Sequence, residues 1–263
     1  MEVKLLHTNY RGVVFFDLDG TLLNATSKVD PDVGAAIHQL RANNYLPVIN
    51  TGRSPLEIVD AREVTGIDTF ISLNGSYLEH DHQPLFQGKL DRDLVREVVE
   101  LSNELGDAVS FYTTDQIKAS KDDENINAAY RLIHTPIPEA QPDFYLDHEI
   151  LMLLLLTRTN DKYYHERFPQ LTYYRNSPYS IDTVKNGISK MNGIKELVKQ
   201  LQLEGLPTYG FGDGPNDLSM LNYVDHPVAM GNGLDEVKKV AEFISSSNVD
   251  GGIVKGLQHF ELI

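Results

Sequence analysis

The chain has 263 residues, 41% of them hydrophobic and 23% charged, a balance that excludes disorder and suits one large domain or a core with a second, smaller one. Its formal net charge of −15 argues against nucleic acid as a partner, because neutralising a phosphate backbone needs a basic surface, and is compatible with a bound divalent cation. The lack of cysteine excludes disulfides, thiolate metal sites and cysteine nucleophiles.

Met1 to Arg11 is polar and reads as no secretory signal. Gly12 to Phe16 is a short apolar run that predicts a buried parallel strand with Asp17 at its carboxyl end. Asp30-Pro31 caps a helix reaching Asn43, with Val33, Ile37 and Leu40 on its inner face. Leu46 to Asn50 is a second strand, Ser54-Pro55 opens a helix to about Val64, and Asp68 to Ser72 is a third strand followed by the turn Asn74-Gly75. This alternation predicts an α/β core, a Rossmann-like parallel sheet covered by helices.

From Gln83 to Thr183 the pattern changes. Strand-like segments (Ala108 to Thr113, Glu149 to Leu156, Leu171 to Tyr174, Tyr179 to Thr183) mix with helical ones (Asp91 to Leu105, Glu124 to His134, Asp161 to Phe168). The longest apolar run, Ile150 to Leu156, is too short for a membrane span of roughly 20 residues and reads as a buried strand. The expectation is an inserted α+β domain at 83–183 within a core made of 1–82 and 184–263. Beyond Gly187 the parallel pattern resumes: a helix from Lys190 to Leu203, a strand from Pro207 to Gly212, a helix from Pro215 to Asn222, a strand from Pro227 to Met230 and a helix from Glu236 to Ala241. The chain reads as a cytoplasmic monomer or homodimer with no membrane partner.

Asp17 and Asp19 are two apart at a strand end, so both face one point beyond the sheet's carboxyl edge, where open α/β folds bind ligands. Two close carboxylates need a cation between them or a proton on one. A solvated Asp-x-Asp-Gly turn is the bland alternative. Gly20 permits a sharp turn, and Thr21 can donate its hydroxyl to an anion or hold a carboxylate in place. His80-Asp81-His82 has ligating side chains but lies near the expected hinge with no third ligand in the sequence, so it reads as no metal site, and Asp122-Asp123-Glu124 reads as an acidic helix start.

The stretch Phe15-Phe16-Asp17-Leu18-Asp19-Gly20-Thr21-Leu22-Leu23 resembles the first motif of the haloacid dehalogenase-like superfamily. Asn50-Thr51-Gly52-Arg53, Gly187-Ile188-Ser189-Lys190 and Gly212-Asp213-Gly214-Pro215-Asn216-Asp217 resemble its second, third and fourth motifs, in the family's order. Ser72-Leu73-Asn74-Gly75 and the insert's position are similar to the Cof-like subfamily IIB, whose insert is a C2B cap.

The resemblance implies a magnesium-dependent phosphatase for small phosphorylated metabolites, mostly sugar phosphates. Asp17 would be the nucleophile and Asp19 the general acid/base. Thr51, Lys190 and Asn216 would bind the phosphoryl group, although Thr51 also reads as a helix cap and Lys190 as a surface lysine. Asp17, the Asp19 carbonyl and Asp213 would hold Mg2+. Asp217 would sit behind the metal as an outer ligand, or would orient Lys190. Arg53 and Asn74 are candidate substrate contacts. Threonine replaces the second aspartate in the superfamily's transport ATPases, so Asp19 favours a phosphatase or a phosphomutase. A non-catalytic sensor of a phosphorylated ligand is the reading from another class.

Overall fold

The computed structural model describes residues 10–132, 135–175 and 177–263. Most of the polar amino-terminal lead, and the expected end of a helix at His134, lie outside the described residues. In chain order the elements are β1 (Gly12–Phe16), α1 (Pro31–Ala42), β2 (Tyr45–Asn50), α2 (Val59–Thr65), β3 (Thr69–Ser72), β4 (Tyr77–His80) and β5 (Gln83–Gln87). Next come α3 (Arg92–Leu105), β6 (Ala108–Tyr112), β7 (Ile117–Ala119), α4 (Glu124–Leu132), α5 (Phe144–Asp147), β8 (Met152–Leu156), α6 (Asp161–Arg167), β9 (Leu171–Arg175) and β10 (Ser180–Lys185). The chain closes with α7 (Lys190–Gln200), β11 (Thr208–Gly212), α8 (Leu218–Leu221), β12 (His226–Ala229), α9 (Asp235–Val240), β13 (Phe243–Ile244) and α10 (Gly252–His259).

Two compact units result. One contains the described residues up to Thr51, together with Ile58–Phe86 and Ser189–Ile263; the other contains Gly52–Glu57 and Gln87–Ile188. The first unit is built on an eight-stranded sheet in the order β13-β12-β11-β1-β2-β3-β4-β5. Its centre is parallel: β1 pairs with β2 and β11, β2 with β3, and β11 with β12. Every residue of β1 and β2 is buried, which is why both runs lack the alternation of a half-exposed strand. Val13, Phe15, Leu46, Val48, Ile194 and Leu197 form one packed layer. Beneath the strand ends Phe16 stacks on Phe211, with ring centroids 5.0 Å apart.

The sheet is not parallel throughout. β4 runs antiparallel to β3, so the segment after Asn74-Gly75 folds back along the sheet edge. His80-Asp81-His82 forms the tight turn between β4 and β5, with Asp81 and His82 in the left-handed region. It is therefore a hairpin tip. His80 Nδ1 lies 2.7 Å from Thr69 Oγ1.

The second unit carries a five-stranded antiparallel sheet in the order β7-β6-β8-β10-β9. One face carries Val109, Phe111, Leu153, Leu155 and Ile181, packed with Val95 and Val98 of α3 and Tyr164 of α6. α3 starts where Asp91 accepts from the backbone N–H groups of Asp93 and Leu94, and ends at Gly106 in the left-handed conformation. Asp123 caps the acidic start of α4 in the same way, accepting from Asn125 N–H at 2.7 Å. The fold is thus α/β, a parallel-sheet core with an inserted α+β unit.

Phe211 is fully buried, stacked on Phe16 and packed so closely on Gly256 that a Cβ there would collide with its ring. Phe211→Ala is expected to cost about 3–5 kcal/mol in urea unfolding; a loss below about 1 kcal/mol would contradict this packing.

Candidate active site

Each motif sits where the parallel sheet ends. Phe16 pairs with Phe211 on one side and Ile49 on the other, so Asp17, Gly212-Asp213 and Asn50-Thr51 leave the sheet side by side. The Asp17 N–H donates to Phe211 O at 3.0 Å, which ties the turn after β1 to β11. Gly20 has φ +77, and a Cβ there would collide with the Asp213 carboxylate. Thr21 Oγ1 donates to Asp213 Oδ1 at 3.1 Å, so of its two foreseeable roles it holds a carboxylate in place.

Lys190 is the first residue of α7, behind the cap Ser189, whose hydroxyl accepts from Asn192 N–H. Its side chain is 1% exposed, and its ammonium forms ion pairs with both Asp17 and Asp217. It is not a surface lysine. Asp217 is fully buried; one oxygen takes Lys190, and the other accepts from the N–H groups of Asp213 at 3.0 Å and Gly214 at 2.9 Å. Breaking such a buried pair from one side costs about 3–5 kcal/mol.

Asp17, Asp213 and Asp217 bring carboxylate oxygens within 4.8 Å of one another. Three carboxylates face one ammonium, so the cluster carries an excess of negative charge. Burial pushes the Asp17 carboxyl well above its ordinary range; Asp217 adds to this and Lys190 opposes it. Burial and Asp217 push Asp213 up to about 6. Burial alone would lower the Lys190 ammonium, but Asp17 and Asp217 outweigh it and hold it above its ordinary value. This donor set fits a hard divalent cation, which takes oxygen ligands and would offset the excess charge. Asp217 has both oxygens engaged, which leaves Asp17 and Asp213 as the carboxylates best able to face an ion.

Asp19 is exposed, and its charge acts on both Asp17 and Asp213. Thr51 is buried beyond β2, its N–H bonded to Ile71 O and its carbonyl accepting from Asn74 N–H. Asn216 is half-buried in the short helical turn Pro215–Asp217. Asn74 is fully buried in the turn after β3. Arg53 is half-buried and belongs to the second unit. Sequence reasoning missed Asn232 and Asn248. Asn232 Nδ2 donates to Gly20 O at 2.8 Å, and Asn248 Nδ2 donates to Leu23 O at 2.7 Å, so both fasten the loop that carries Asp19. The run Gly231-Asn232-Gly233 marks a turn, but its partner 212 residues away is not legible in it.

The raised Asp213 has a testable sign. A folded-state pKa above the unfolded one gives stability that is present at low pH and lost as pH rises through about 6. In chelator-treated protein Asp213→Asn is expected to be more stable than wild type at pH 7.5, by about 1–3 kcal/mol, and to lose that advantage progressively as pH falls from about 6 to about 4. Thermal melts across this range check it; a constant difference would contradict it.

The sequence matches the family model described as haloacid dehalogenase-like hydrolase over residues 14–257. It is 30% identical to "Putative phosphatase YkrA" of Bacillus subtilis over 252 residues, 95% of this chain and 98% of that protein. A solved structure from Geobacillus kaustophilus HTA426 superposes with a TM-score of 0.89 at 32% identity, covering 96% of this chain and all of the other. The subclass IIB sugar phosphatase BT4131 superposes with a TM-score of 0.87 at 25% identity, over 96% of this chain and 100% of its own. At 24% identity, over 94% of this chain and 97% of the relative, the sequence is also similar to the B. subtilis 5-amino-6-(5-phospho-D-ribitylamino)uracil phosphatase YitU. The chain belongs to the haloacid dehalogenase-like hydrolases, in their Cof-like branch, and is a phosphatase.

Proposed function

We propose that the chain is a magnesium-dependent phosphatase that removes phosphate from small metabolites, chiefly sugar phosphates, through an aspartyl-phosphate on Asp17. The observation that carries this reading is the Asp17 carboxylate, buried at the end of β1 and ion-paired with Lys190 beside Asp213 and Asp217. The sugar-phosphate class is supported by the likeness to BT4131, and small phosphorylated metabolites in general by the likeness to YitU.

In this reading an Asp17 carboxylate oxygen forms a bond to phosphorus as the bond to the leaving oxygen breaks. Asp19 gives its proton to that leaving oxygen. It then takes a proton from the water that attacks the aspartyl-phosphate, and inorganic phosphate departs with Asp17 restored. Thr51, Lys190 and Asn216 bind the phosphoryl oxygens, with the Lys190 ammonium facing charge that grows during transfer. Asp17, the Asp19 main-chain carbonyl and Asp213 would hold magnesium, with Asp217 behind as the anchor of Lys190. The ion supplies positive charge against the phosphoryl oxygens. Residues 83–183 act as the cap that selects the leaving group, and Arg53 and Asn74 contact substrate.

Phosphate release from p-nitrophenyl phosphate and a sugar-phosphate panel, with and without magnesium, tests the reading. Asp17→Asn is expected to lower kcat by about 10⁴-fold or more, and Asp19→Asn by about 10²–10⁴-fold. Chelation is expected to abolish turnover and magnesium to restore it. Robust activity in Asp17→Asn would overturn the mechanism, and isomerised sugar phosphate in place of free phosphate would make the enzyme a mutase.

A further inference from the structure

We infer that the turn Leu73-Asn74-Gly75, outside the four motifs, is the positioning element that sets Lys190 against Thr51; this rests on the phosphatase reading of the site. Three consecutive residues here are left-handed, with φ of 51° at Leu73, 54° at Asn74 and 103° at Gly75. Glycine adopts this readily, but a buried leucine does so only where the surroundings enforce it. The turn is fixed at both ends. Asn74 N–H donates to Thr51 O at 3.0 Å, immediately beyond β2. Gly75 packs on the backbone of Ser189, the cap of α7. A Cβ at position 75 would run into the Ser189 carbonyl oxygen, and would stand 3.0 Å from its carbon and 3.4 Å from its nitrogen.

That carbonyl is the one that opens α7, accepting from Gly193 N–H at 2.9 Å. Lys190 is the next residue. Gly193 closes the clamp from the helix side: a Cβ there would stand 2.6 Å from Ile71 Cγ2 and 3.4 Å from Gly75 Cα. Ile71 is also the residue whose carbonyl accepts from Thr51 N–H, at 2.9 Å. The end of β3 and the turn after it therefore touch the backbone of Thr51 on one side and the first turn of α7 on the other. Both glycines allow the closest approach on the α7 side. The strain at Leu73 is the conformational consequence of spanning these two points in three residues.

The protein contains its own control. Gly205 has φ +86, and nothing lies within 4 Å of a Cβ placed there. Gly205→Ala thus carries left-handed strain without touching the site. Gly193→Ala has the opposite character, improving helix propensity while pressing on the clamp.

The experiment compares Gly75→Ala, Gly193→Ala and Gly205→Ala in p-nitrophenyl phosphate hydrolysis with magnesium, in inhibition by inorganic phosphate, and in thermal melts. Gly75→Ala and Gly193→Ala are expected to lose about 10–100-fold in kcat/KM and to bind phosphate more weakly, as displacement of a positioned group does. Gly205→Ala is expected to melt lower and keep wild-type kcat/KM. The inference is overturned if all three variants keep their activity, or if activity follows melting temperature alone. A crystal structure of Gly75→Ala, or of Gly193→Ala should the first not fold, separates the two readings. Displacement of the Lys190 ammonium from Asp17 or Asp217 supports the inference even if wild type releases no phosphate, a result that would sink the phosphatase reading instead. An ammonium left in place overturns it.

Discussion

The structure of the first unit turns on one buried ammonium. Lys190 is shared by Asp17 and Asp217, and the two ends of its ion pair with Asp17 are 173 residues apart in the sequence. A lysine that is 1% exposed can keep its charge only with carboxylates against it, and carboxylates so buried can keep theirs only with a cation near. Each group is therefore tolerable only in the presence of the others. The ends of β1 and β11 and the start of α7 must all be in place before all three charges are stabilised. The central parallel sheet supplies that register, and the Phe16–Phe211 stack holds it from below.

The same cluster is unbalanced. Burial first, and then three carboxylates to one ammonium, push Asp17 and Asp213 towards their neutral forms, although the proposed nucleophile must be ionised. The site gives up some stability to keep this excess charge, as functional sites commonly do. A divalent cation would resolve both problems together. It would restore the charge balance, and it would favour the ionised form of Asp17 that the proposed mechanism needs.

Much of this was legible in the sequence because the chemistry sits at strand ends. An apolar run that stops at Asp17, another at Thr51 and a third at Asp213 each announce a parallel strand and a ligand-facing residue at once. Lys190 was legible only through its motif, since spacing alone read it as a surface lysine. Other features left no local trace. Asn232 and Asn248 matter through partners more than 200 residues away. The hairpin at His80-Asp81-His82 uses left-handed Asp81 and His82 with no glycine, so the usual turn chemistry is missing. Leu73 belongs to a residue type that avoids the left-handed conformation it adopts, so nothing local in the sequence announces it.

The central claim is that the Asp17 carboxylate itself takes the phosphoryl group. The most direct test is acid quenching during turnover with magnesium and a sugar phosphate, followed by peptide mapping by mass spectrometry. The account predicts a phosphoryl group on the peptide containing Asp17, absent from Asp17→Asn and longer-lived in Asp19→Asn. Steady phosphate release with no phosphoryl group on that peptide, or with one on a different residue, would contradict it.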